Sequence, residues 1–312
     1  MTLMLSQSEA TVAAVIPTSG RESVVDAVRS ALGQSRPPDV VVVATAECNL
    51  ARVRELLADH IDNIQIEVTN IDKPTGGFLR KLGTDSIDCD WYAFLDDDDQ
   101  WLPTKLGRQL VYAEECGLDV ASSSLLVSGP DSVGDKPIPG TTYSEGDSVS
   151  EYLFAGRTLR VDRPLLHTST LLVSREAIEE VNWDPGLSVH QDWDLVLRLD
   201  DAGFKIGQSR DPLTHVATGT SGSMSATNKW ASSLEWWKNS KHLMSDRSSA
   251  DFLYSQVLRY ALRERSRDGL RRVLRAAKRT SRPSVPAMLI GLTGLAPRSV
   301  FEKAMLRDAR AR

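Results

Sequence analysis

The stretch Trp91-Tyr-Ala-Phe-Leu-Asp-Asp-Asp-Asp-Gln-Trp-Leu-Pro103 decides the fold of this chain. Its first five residues are apolar and rich in sheet formers, a pattern that predicts a short buried strand. Four carboxylates follow at the C-terminal end of that strand. Pro103 then suits the first turn of a helix, where its missing N–H group costs nothing.

Four successive carboxylates on a core strand predict a bound cation. Two carboxylates about 4 Å apart repel by roughly 1 kcal/mol in water and by about 4 kcal/mol at an effective dielectric constant near 20. Their all-oxygen character suits Mg²⁺ or Mn²⁺, and such an ion with open positions would also accept a diphosphate. The alternative is a solvated acidic turn, which the apolar residues on both sides of the run disfavour.

Upstream of this run, apolar segments alternate with amphipathic ones. The predicted strands are Val12–Ile16, Val40–Val43 and Ile64–Val68, and the predicted helices are Val24–Leu32, Leu50–Leu57 and Gly76–Leu82. This alternation predicts a mostly parallel sheet with helices on both faces. Ligands bind such sheets beyond the carboxyl ends of the strands, so Pro17–Arg21 and Asp96–Asp99 should face one crevice.

The downstream half is less regular. It predicts a helix from Pro103 to Glu115, strands at Val120–Val127, His167–Val173 and Phe204–Gln208, and a helix capped by Ser174. Ser128–Val149 is rich in Gly, Pro, Ser and Asp and predicts an irregular loop. The Gly/Ser-rich residues Val216–Met224 predict a mobile lid.

The chain has 312 residues, with 41% hydrophobic and 25% charged residues, which is ordinary for a soluble globular protein. Residues 251–312 contain 15 Lys or Arg and 5 Asp or Glu, whereas the remainder carries a net charge of −15. We therefore expect a catalytic region (1–224) and a helical, basic C-terminal region (225–312). Three cysteines make neither a disulfide framework nor a zinc site. With no signal peptide and no apolar run of about 18 residues, the sequence predicts a cytoplasmic protein.

The segment Phe-Leu-Asp-Asp-Asp-Asp-Gln-Trp-Leu-Pro resembles the Asp-x-Asp segment of family 2 inverting glycosyltransferases. That family has a GT-A-type, Rossmann-like fold and uses nucleotide-sugar donors. The resemblance implies that Asp98 binds the metal on the donor diphosphate and that Asp96 lies by the ribose and the metal. Asp97 takes the variable middle position of the triplet, on the donor side.

Two further segments resemble the donor side of the same family. The opening strand and helix, Val15-Ile-Pro-Thr-Ser-Gly-Arg21, imply nucleotide contacts from Pro17, Thr18, Ser19 and Arg21. The segment Gly76–Gly83 resembles the family's Gly-x-x-x-Arg-Asn-x-Gly, which implies that Arg80 faces the donor. Lys81 replaces the Asn and could reach a phosphate. For the first segment the alternative is a helix cap with a surface arginine, and for the second it is a pair of solvated helix residues.

The segment His190-Gln-Asp-Trp-Asp-Leu195 resembles the family's Glu-Asp-Trp-Asp-Leu. The resemblance implies that Asp192 is the general base, with Gln191 in place of the usual Glu. Without the resemblance, Asp192 would be interpreted as an acidic residue that stabilises the start of a helix. His215 resembles a third ligand of the metal or diphosphate, and a structural histidine is the alternative.

One segment departs from the family pattern. The family usually has Asp-Asp-Gly-Ser after its second strand, whereas this chain has Ala44-Thr45-Ala46-Glu47. The nucleobase therefore cannot be carried over from the resemblance.

The predicted function is the transfer of a sugar from a nucleoside diphosphate-sugar to a saccharide or lipid-linked acceptor, with Mg²⁺ or Mn²⁺. No nucleic acid is expected as a partner, and the oligomeric state, a homo-oligomer included, is left open. A metal-dependent nucleotidyltransferase would want a Gly-rich, Lys-containing loop after the first strand, and Pro17–Arg21 is a poor version of one. A non-catalytic protein that binds Ca²⁺ or a nucleotide sugar is the other alternative, against which the retained Asp192 argues.

The basic C-terminal region predicts peripheral contact with an anionic membrane. Its apolar stripe would comprise Leu258, Leu262, Leu270, Val273 and Leu274, followed by the apolar run Val285–Ala296. The alternative is that this stripe packs on the catalytic region or on a second subunit.

Overall fold

The structure, a computed structural model, describes residues 10–128, 136–155, 164–217 and 229–295. Its strands are β1 (Val12–Thr18), β2 (Val40–Ala46), β3 (Gln65–Thr69), β4 (Trp91–Phe94), β5 (Gln100–Trp101), β6 (Val120–Ser128), β7 (Leu172–Ser174) and β8 (Ile206–Ala217). They form one mixed sheet in the order β3-β2-β1-β4-β7-β6-β8-β5. The strand pairs among β1 to β4 are parallel, and β7 pairs antiparallel with both of its neighbours.

The helices cover both faces of this sheet. They are α1 (Val24–Leu32), α2 (Leu50–Leu56), α3 (Gly76–Asp85), α4 (Lys105–Cys116), α5 (Val149–Phe154), α6 (Arg175–Glu180), α7 (Gln191–Asp201), α8 (Lys229–Ser240), α9 (Asp246–Phe252), α10 (Arg259–Arg263), α11 (Arg267–Ala277) and α12 (Val285–Leu292). A π-helical segment, Leu253–Leu258, joins α9 to α10. The predicted mostly parallel sheet with helices on both faces is confirmed.

The parallel half of the sheet forms because its strands are apolar on both faces, as buried parallel strands require. Every residue of β1 is buried, and alternate residues of β1 enter the two hydrophobic clusters on opposite faces. Helix α3 lies unusually close to this strand. A Cβ atom at Gly83 would come within 2.6 Å of the Val15 side chain, so glycine is required for this approach, which brings Arg80 towards the strand ends.

Some predicted elements differ in extent. Thr168–Thr170 form a 3-10 turn that His167 caps, so the predicted strand at His167–Val173 is mostly wrong and only its end belongs to β7. The predicted strand Phe204–Gln208 is longer in the structure, because β8 continues to Ala217 beside β6. Ser174 caps α6 as predicted, accepting a hydrogen bond from the Ala177 N–H group. The predicted lid lies almost entirely in residues 218–228, outside the described part of the chain.

The C-terminal helices share a core with the sheet and with α7. Trp236, Phe252 and Val273 belong to the same buried cluster as Phe94 in β4 and Leu195 in α7. The proposed division at residue 224 falls in an undescribed segment and stays a prediction. Among the described helices, none has the length and apolar character needed to cross a membrane.

Candidate active site at the ends of the central strands

The acidic run Asp96–Asp99 connects β4 to β5 and lies beside the end of β1. The Thr18 hydroxyl donates to Asp97 at 2.6 Å, and the Arg21 guanidinium lies 3.2 Å from the same carboxylate. Arg21 also donates to Asp98 at 2.8 Å. Arg21 therefore bridges two of the four carboxylates. Burial raises the pKa of Asp97, and the partners Thr18 and Arg21 oppose that effect.

Arg80 of α3 joins the acidic run to the start of α7. Its guanidinium forms an ion pair with Asp96, donates to the Gln191 side-chain oxygen at 2.8 Å, and stacks over the Trp183 ring with 4.8 Å to the ring centre. Burial alone would raise the pKa of Asp96, but Arg80 and His167 outweigh it and hold that pKa below its usual value. Gln191 thus occupies the place of the family's Glu as a neutral acceptor for Arg80.

Asp99 is buried, like Asp97. It accepts hydrogen bonds from the Ser169 hydroxyl at 2.5 Å and from the Ala217 N–H group at 3.0 Å. Burial raises the pKa of Asp99 to about 7, despite the opposing effect of His167 nearby. A cation bound here would therefore displace a proton at neutral pH.

His167 lies at the centre of the crevice. Its Nδ1 accepts a hydrogen bond from the Ser169 N–H group at 3.2 Å and lies 3.9 Å from Asp99. Because an acceptor nitrogen carries no proton, the proton of the neutral ring lies on Nε2, which can donate to a substrate oxygen. Binding of a cation would use the lone pair of Nδ1 in place of the contact with Ser169. His167 also lies near enough to Asp96 and Asp192 to lower their pKa values.

Asp96, Asp99 and His167 form a candidate divalent-cation site in the described part of the chain. Their ligand atoms lie within 4.8 Å of one another. Four carboxylates against the two guanidinium groups of Arg21 and Arg80 leave an excess of two negative charges when all are ionised. Carboxylate oxygens with one imidazole suit Mn²⁺, and Mg²⁺ is served by the carboxylates. The residues present therefore fit the predicted ion.

The candidate metal ligands differ in part from those that the resemblance implies. Asp96 is common to both sets, but the geometry adds Asp99 and His167 in place of Asp98 and His215. Asp98 lies against Arg21, and His215 lies in β8, opposite Gln100 of β5. Their role as ligands stays a prediction.

Asp192 lies in the first turn of α7, at the same crevice. The helix is capped by the backbone of His190, which has a left-handed conformation (φ 59°), so Asp192 is not its N-cap residue. Burial raises the pKa of Asp192, with His167 and Arg80 opposing and Asp96 reinforcing that effect. The structure thus brings Asp192 within electrostatic range of the acidic run, as its predicted role requires.

The neighbouring aspartate has a structural role. Asp194 accepts from Arg198 at 2.7 Å and from the Trp236 indole at 3.1 Å, which ties α7 to α8. His190 supports the same junction, since its ring stacks on Trp193 and contacts the Ser233 hydroxyl.

The remaining predicted donor residues divide into two groups. Pro17 and Thr18 are buried at the end of β1, and Ser19 is exposed just beyond them, at the crevice. Lys81 instead pairs with Asp85 at 2.7 Å, one turn along α3. The structure therefore brings Lys81 to a different partner from Arg80, and its contact with a phosphate stays a prediction.

Residues 10–233 match the family model described as "Glycosyltransferase like family 2". The amylovoran biosynthesis glycosyltransferase AmsB of Erwinia amylovora is 28% identical over 183 residues, which cover 57% of this chain and 59% of that protein. The alignment thus spans less than two thirds of that relative.

Two solved structures share the fold. The structure of S. aureus TarS 1-349 in complex with UDP-GlcNAc matches with a TM-score of 0.60 and 14% identity, covering 96% of this chain and 89% of that one. The mannosyltransferase PcManGT from Pyrobaculum calidifontis, in complex with GDP-Man and Mn2+, matches with a TM-score of 0.52 and 15% identity, covering 97% and 80%. At these identities the likeness concerns the fold alone.

Proposed function

Since this chain belongs to the glycosyltransferase-like family 2, we propose that it is a metal-dependent inverting glycosyltransferase. It moves a sugar from a nucleoside diphosphate-sugar to a hydroxyl group of a saccharide or lipid-linked acceptor. The reaction takes place on the cytoplasmic side, where nucleotide sugars are made.

One observation carries this proposal: the carboxylate of Asp192 shares a crevice with the acidic run. Arg80 connects the two, because it contacts both Asp96 and Gln191, the residue before Asp192. A donor diphosphate at Asp96–Asp99 would therefore have its sugar next to Asp192. A nucleotide-binding site alone would not need this second carboxylate.

In the proposed donor complex, Asp96, Asp99 and His167 would hold the divalent cation, with Asp98 as the ligand that the resemblance adds. When bound, the cation acts as a Lewis acid that neutralises charge on the leaving diphosphate. Arg21 lies beside the same carboxylates, and its Nε group is buried without a hydrogen-bond partner among the described residues. This cation of the protein would add to the positive field around the diphosphate.

Asp192 acts as the general base. Inverting transfer needs a carboxylate opposite the leaving group, which takes the proton of the acceptor hydroxyl as its oxygen attacks the anomeric carbon. Desolvation raises the pKa of Asp192, and a higher pKa makes it a stronger base. No covalent sugar–enzyme intermediate is required.

Nucleobase and sugar remain open in this proposal. The two solved relatives hold different nucleotides, UDP-GlcNAc in one and GDP-Man in the other. The usual base-contacting aspartates are replaced here by Ala44 and Thr45, and the Thr45 hydroxyl donates to the Thr18 carbonyl within the sheet.

The proposed function is tested by incubating the full chain with a panel of nucleoside diphosphate-sugars and Mn²⁺ and measuring release of the nucleoside diphosphate. At least one α-linked donor should be hydrolysed or transferred, with chelation of the metal stopping the reaction. Proton NMR of the first product should show the β anomer.

Four results would contradict the proposal. An α product would exclude inversion, and metal-independent release would exclude the cation's role. Binding of a donor without any turnover, with acceptor panels included, would favour the non-catalytic alternative. Pyrophosphate release from a nucleoside triphosphate and a sugar phosphate would instead identify a nucleotidyltransferase.

A further inference from the structure

Helix α12 presents its large side chains outwards. Its exposed face is formed by apolar residues spaced three or four apart, which fall on one side of a helix. These residues are Val285, Met288, Leu289 and Leu292, and Leu295 continues the exposed apolar surface in the turn after the helix. No charged residue occurs between residues 283 and 295.

The opposite side of α12 is built from small residues. A Cβ atom at Gly291 would lie 2.6 Å from the Tyr254 carbonyl oxygen, and one at Gly294 would lie 2.2 Å from the Arg259 carbonyl oxygen. Ala287 is fully buried on the same side. The helix therefore packs backbone to backbone on the π-helical segment and α10. Helix α12 thus directs its small residues inward and its large apolar residues outward, which is the reverse of the usual arrangement on a protein surface.

A second feature ties α12 to this orientation. The Asp251 carboxylate is fully buried and accepts from both the backbone N–H group and the hydroxyl of Ser284, at 2.6 and 2.7 Å. Ser284 in turn caps α12 by accepting from the Ala287 N–H group. Asp251 is held in the core, so these hydrogen bonds fix the start of α12. Rotation of the apolar face inward would break the hydrogen bonds of Ser284.

The helices next to α12 are strongly basic. Residues 259–282 contain ten Lys or Arg and two Asp or Glu, and all of these basic residues except Arg259 are exposed. Helix α11 and the turn after α12 both pack on α10. Gly269 of α11 lies against Ala261, and Gly294 lies against Leu262. Positive charge is therefore concentrated close to α12 and its exposed apolar face.

We propose that α12 docks this protein on an anionic lipid surface. Its exposed apolar face enters the boundary between headgroups and acyl chains, and the exposed arginines and lysines of residues 263–282 meet the acidic headgroups. An eight-residue helix is about 12 Å long, too short to cross hydrocarbon about 30 Å thick, so it lies in the interface.

The apolar stripe that the sequence predicts for membrane contact, from Leu258 to Leu274, is mostly not exposed to lipid. Leu258 and Val273 are buried in the core, and Leu274 is the exposed member of that stripe. The alternative of packing on the catalytic region is therefore correct for most of the stripe, whereas the apolar run Val285–Leu295 remains exposed.

Charge favours lipid over a second copy of the chain. A symmetric pairing through α12 would bring two equally basic regions together, and like charges across an interface are unfavourable. An anionic leaflet has the opposite sign. The docking can be tested separately from the transfer reaction, because the binding assay contains neither donor nor acceptor.

The test is flotation of the full chain with vesicles of phosphatidylcholine alone and of phosphatidylcholine with about one quarter phosphatidylglycerol. We expect binding to the anionic vesicles, weakened by raising salt from about 0.1 M to about 1 M. Met288→Glu with Leu289→Glu should reduce the partition coefficient by at least about tenfold. Arg271→Gln with Arg275→Gln should reduce binding and its salt dependence.

Ile61→Glu is the matched control, because Ile61 is 39% exposed and Leu289 is 44% exposed. It should bind like the wild type, and thermal unfolding should show all variants folded. Absence of wild-type binding to anionic vesicles, or equal binding by the Met288/Leu289 variant, would overturn the proposal. A wild-type dimer that this variant converts to a monomer would assign the face to a second copy instead.

Discussion

The crevice and helix α12 both reverse the ordinary distribution of side chains, but in opposite senses. In the crevice, the charged groups of Asp97, Asp99 and Arg80 are buried. In α12, large apolar groups such as Leu289 and Leu292 are exposed. Each arrangement is costly unless something else is bound, since buried charge needs a counter-charge and exposed apolar area needs cover.

The difference between the two regions indicates what each would bind. Among the described residues, Arg21 and Arg80 offset two of the four carboxylates, and a divalent ion would balance the charge that remains when all four are ionised. The apolar side chains of α12 are exposed, and the helices next to it are basic. A binding partner for α12 would therefore present an extended apolar surface bordered by acidic groups. The same chain would thus bind a nucleotide in one region and a lipid surface in another.

The largest effect is expected in the crevice, from Asp192→Asn. The substitution keeps the shape of the side chain but removes the base, so the transfer rate should fall by about 10²- to 10⁴-fold. Donor affinity, measured by calorimetry with Mn²⁺, should remain within about twofold of the wild type because Asp192 faces the acceptor hydroxyl.

Asp201→Asn is the control for that prediction, because Asp201 is an exposed residue at the far end of the same helix. It should transfer sugar at the wild-type rate. If Asp192→Asn also remains within a few-fold of the wild type, Asp192 is only a helix-start residue.

A second prediction concerns the buried pairing of the crevice. Arg80→Met removes the partner of Asp96 and Gln191 and should lower the free energy of unfolding by about 1–3 kcal/mol, because it leaves a partly buried carboxylate unpaired. Denaturant unfolding at neutral pH measures this loss. The pKa of Asp96, held below its usual value in the wild type, should rise in the variant.

Lys81→Met is the adjacent control on α3. Its ion pair with Asp85 is partly exposed, and such pairs contribute at most about 1 kcal/mol. Equal losses from both variants would show that the Arg80 network does not hold the crevice together.

The third prediction tests the packing of α12. Gly291→Ala adds a Cβ atom 2.6 Å from the Tyr254 carbonyl oxygen, so the helix must shift and stability should fall by about 1–3 kcal/mol. Gly107→Ala in α4 is the matched control, since its Cβ would meet only Arg36 at an ordinary 3.6 Å. That variant should gain up to about 1 kcal/mol, as alanine favours a helix over glycine. Stabilisation by both would mean that α12 does not pack closely.

The sequence predicted the crevice well because its motifs are local and their positions follow from the sheet. Asp96–Asp99 and Thr18 stand at the ends of adjacent parallel strands, and such ends must converge. The motif order does not give the contacts of Arg80 with Asp96 and with Gln191, because these depend on how closely α3 packs on the sheet.

Long-range contacts explain what the sequence analysis missed. His167 comes 68 residues after Asp99, and its segment, His-Thr-Ser-Thr, was interpreted as a strand rather than a turn. A histidine next to hydroxyl residues before a short apolar strand is a weak signal. In the C-terminal region, helical spacing identified apolar stripes, but two stripes were present and spacing alone cannot say which one is covered. Packing on the catalytic region buries Val273 and leaves Leu289 exposed.

In the proposed function, the acidic run binds a divalent cation together with a diphosphate. Titration calorimetry of UDP and GDP, with and without Mn²⁺, tests it on the wild type, Asp98→Asn and Asp99→Asn. We predict that a nucleoside diphosphate binds the wild type only with Mn²⁺, and that Asp99→Asn weakens this binding by more than about tenfold. A comparable loss in Asp98→Asn would add the ligand that the resemblance implies. Binding without Mn²⁺, or wild-type affinity in both variants, would contradict the claim.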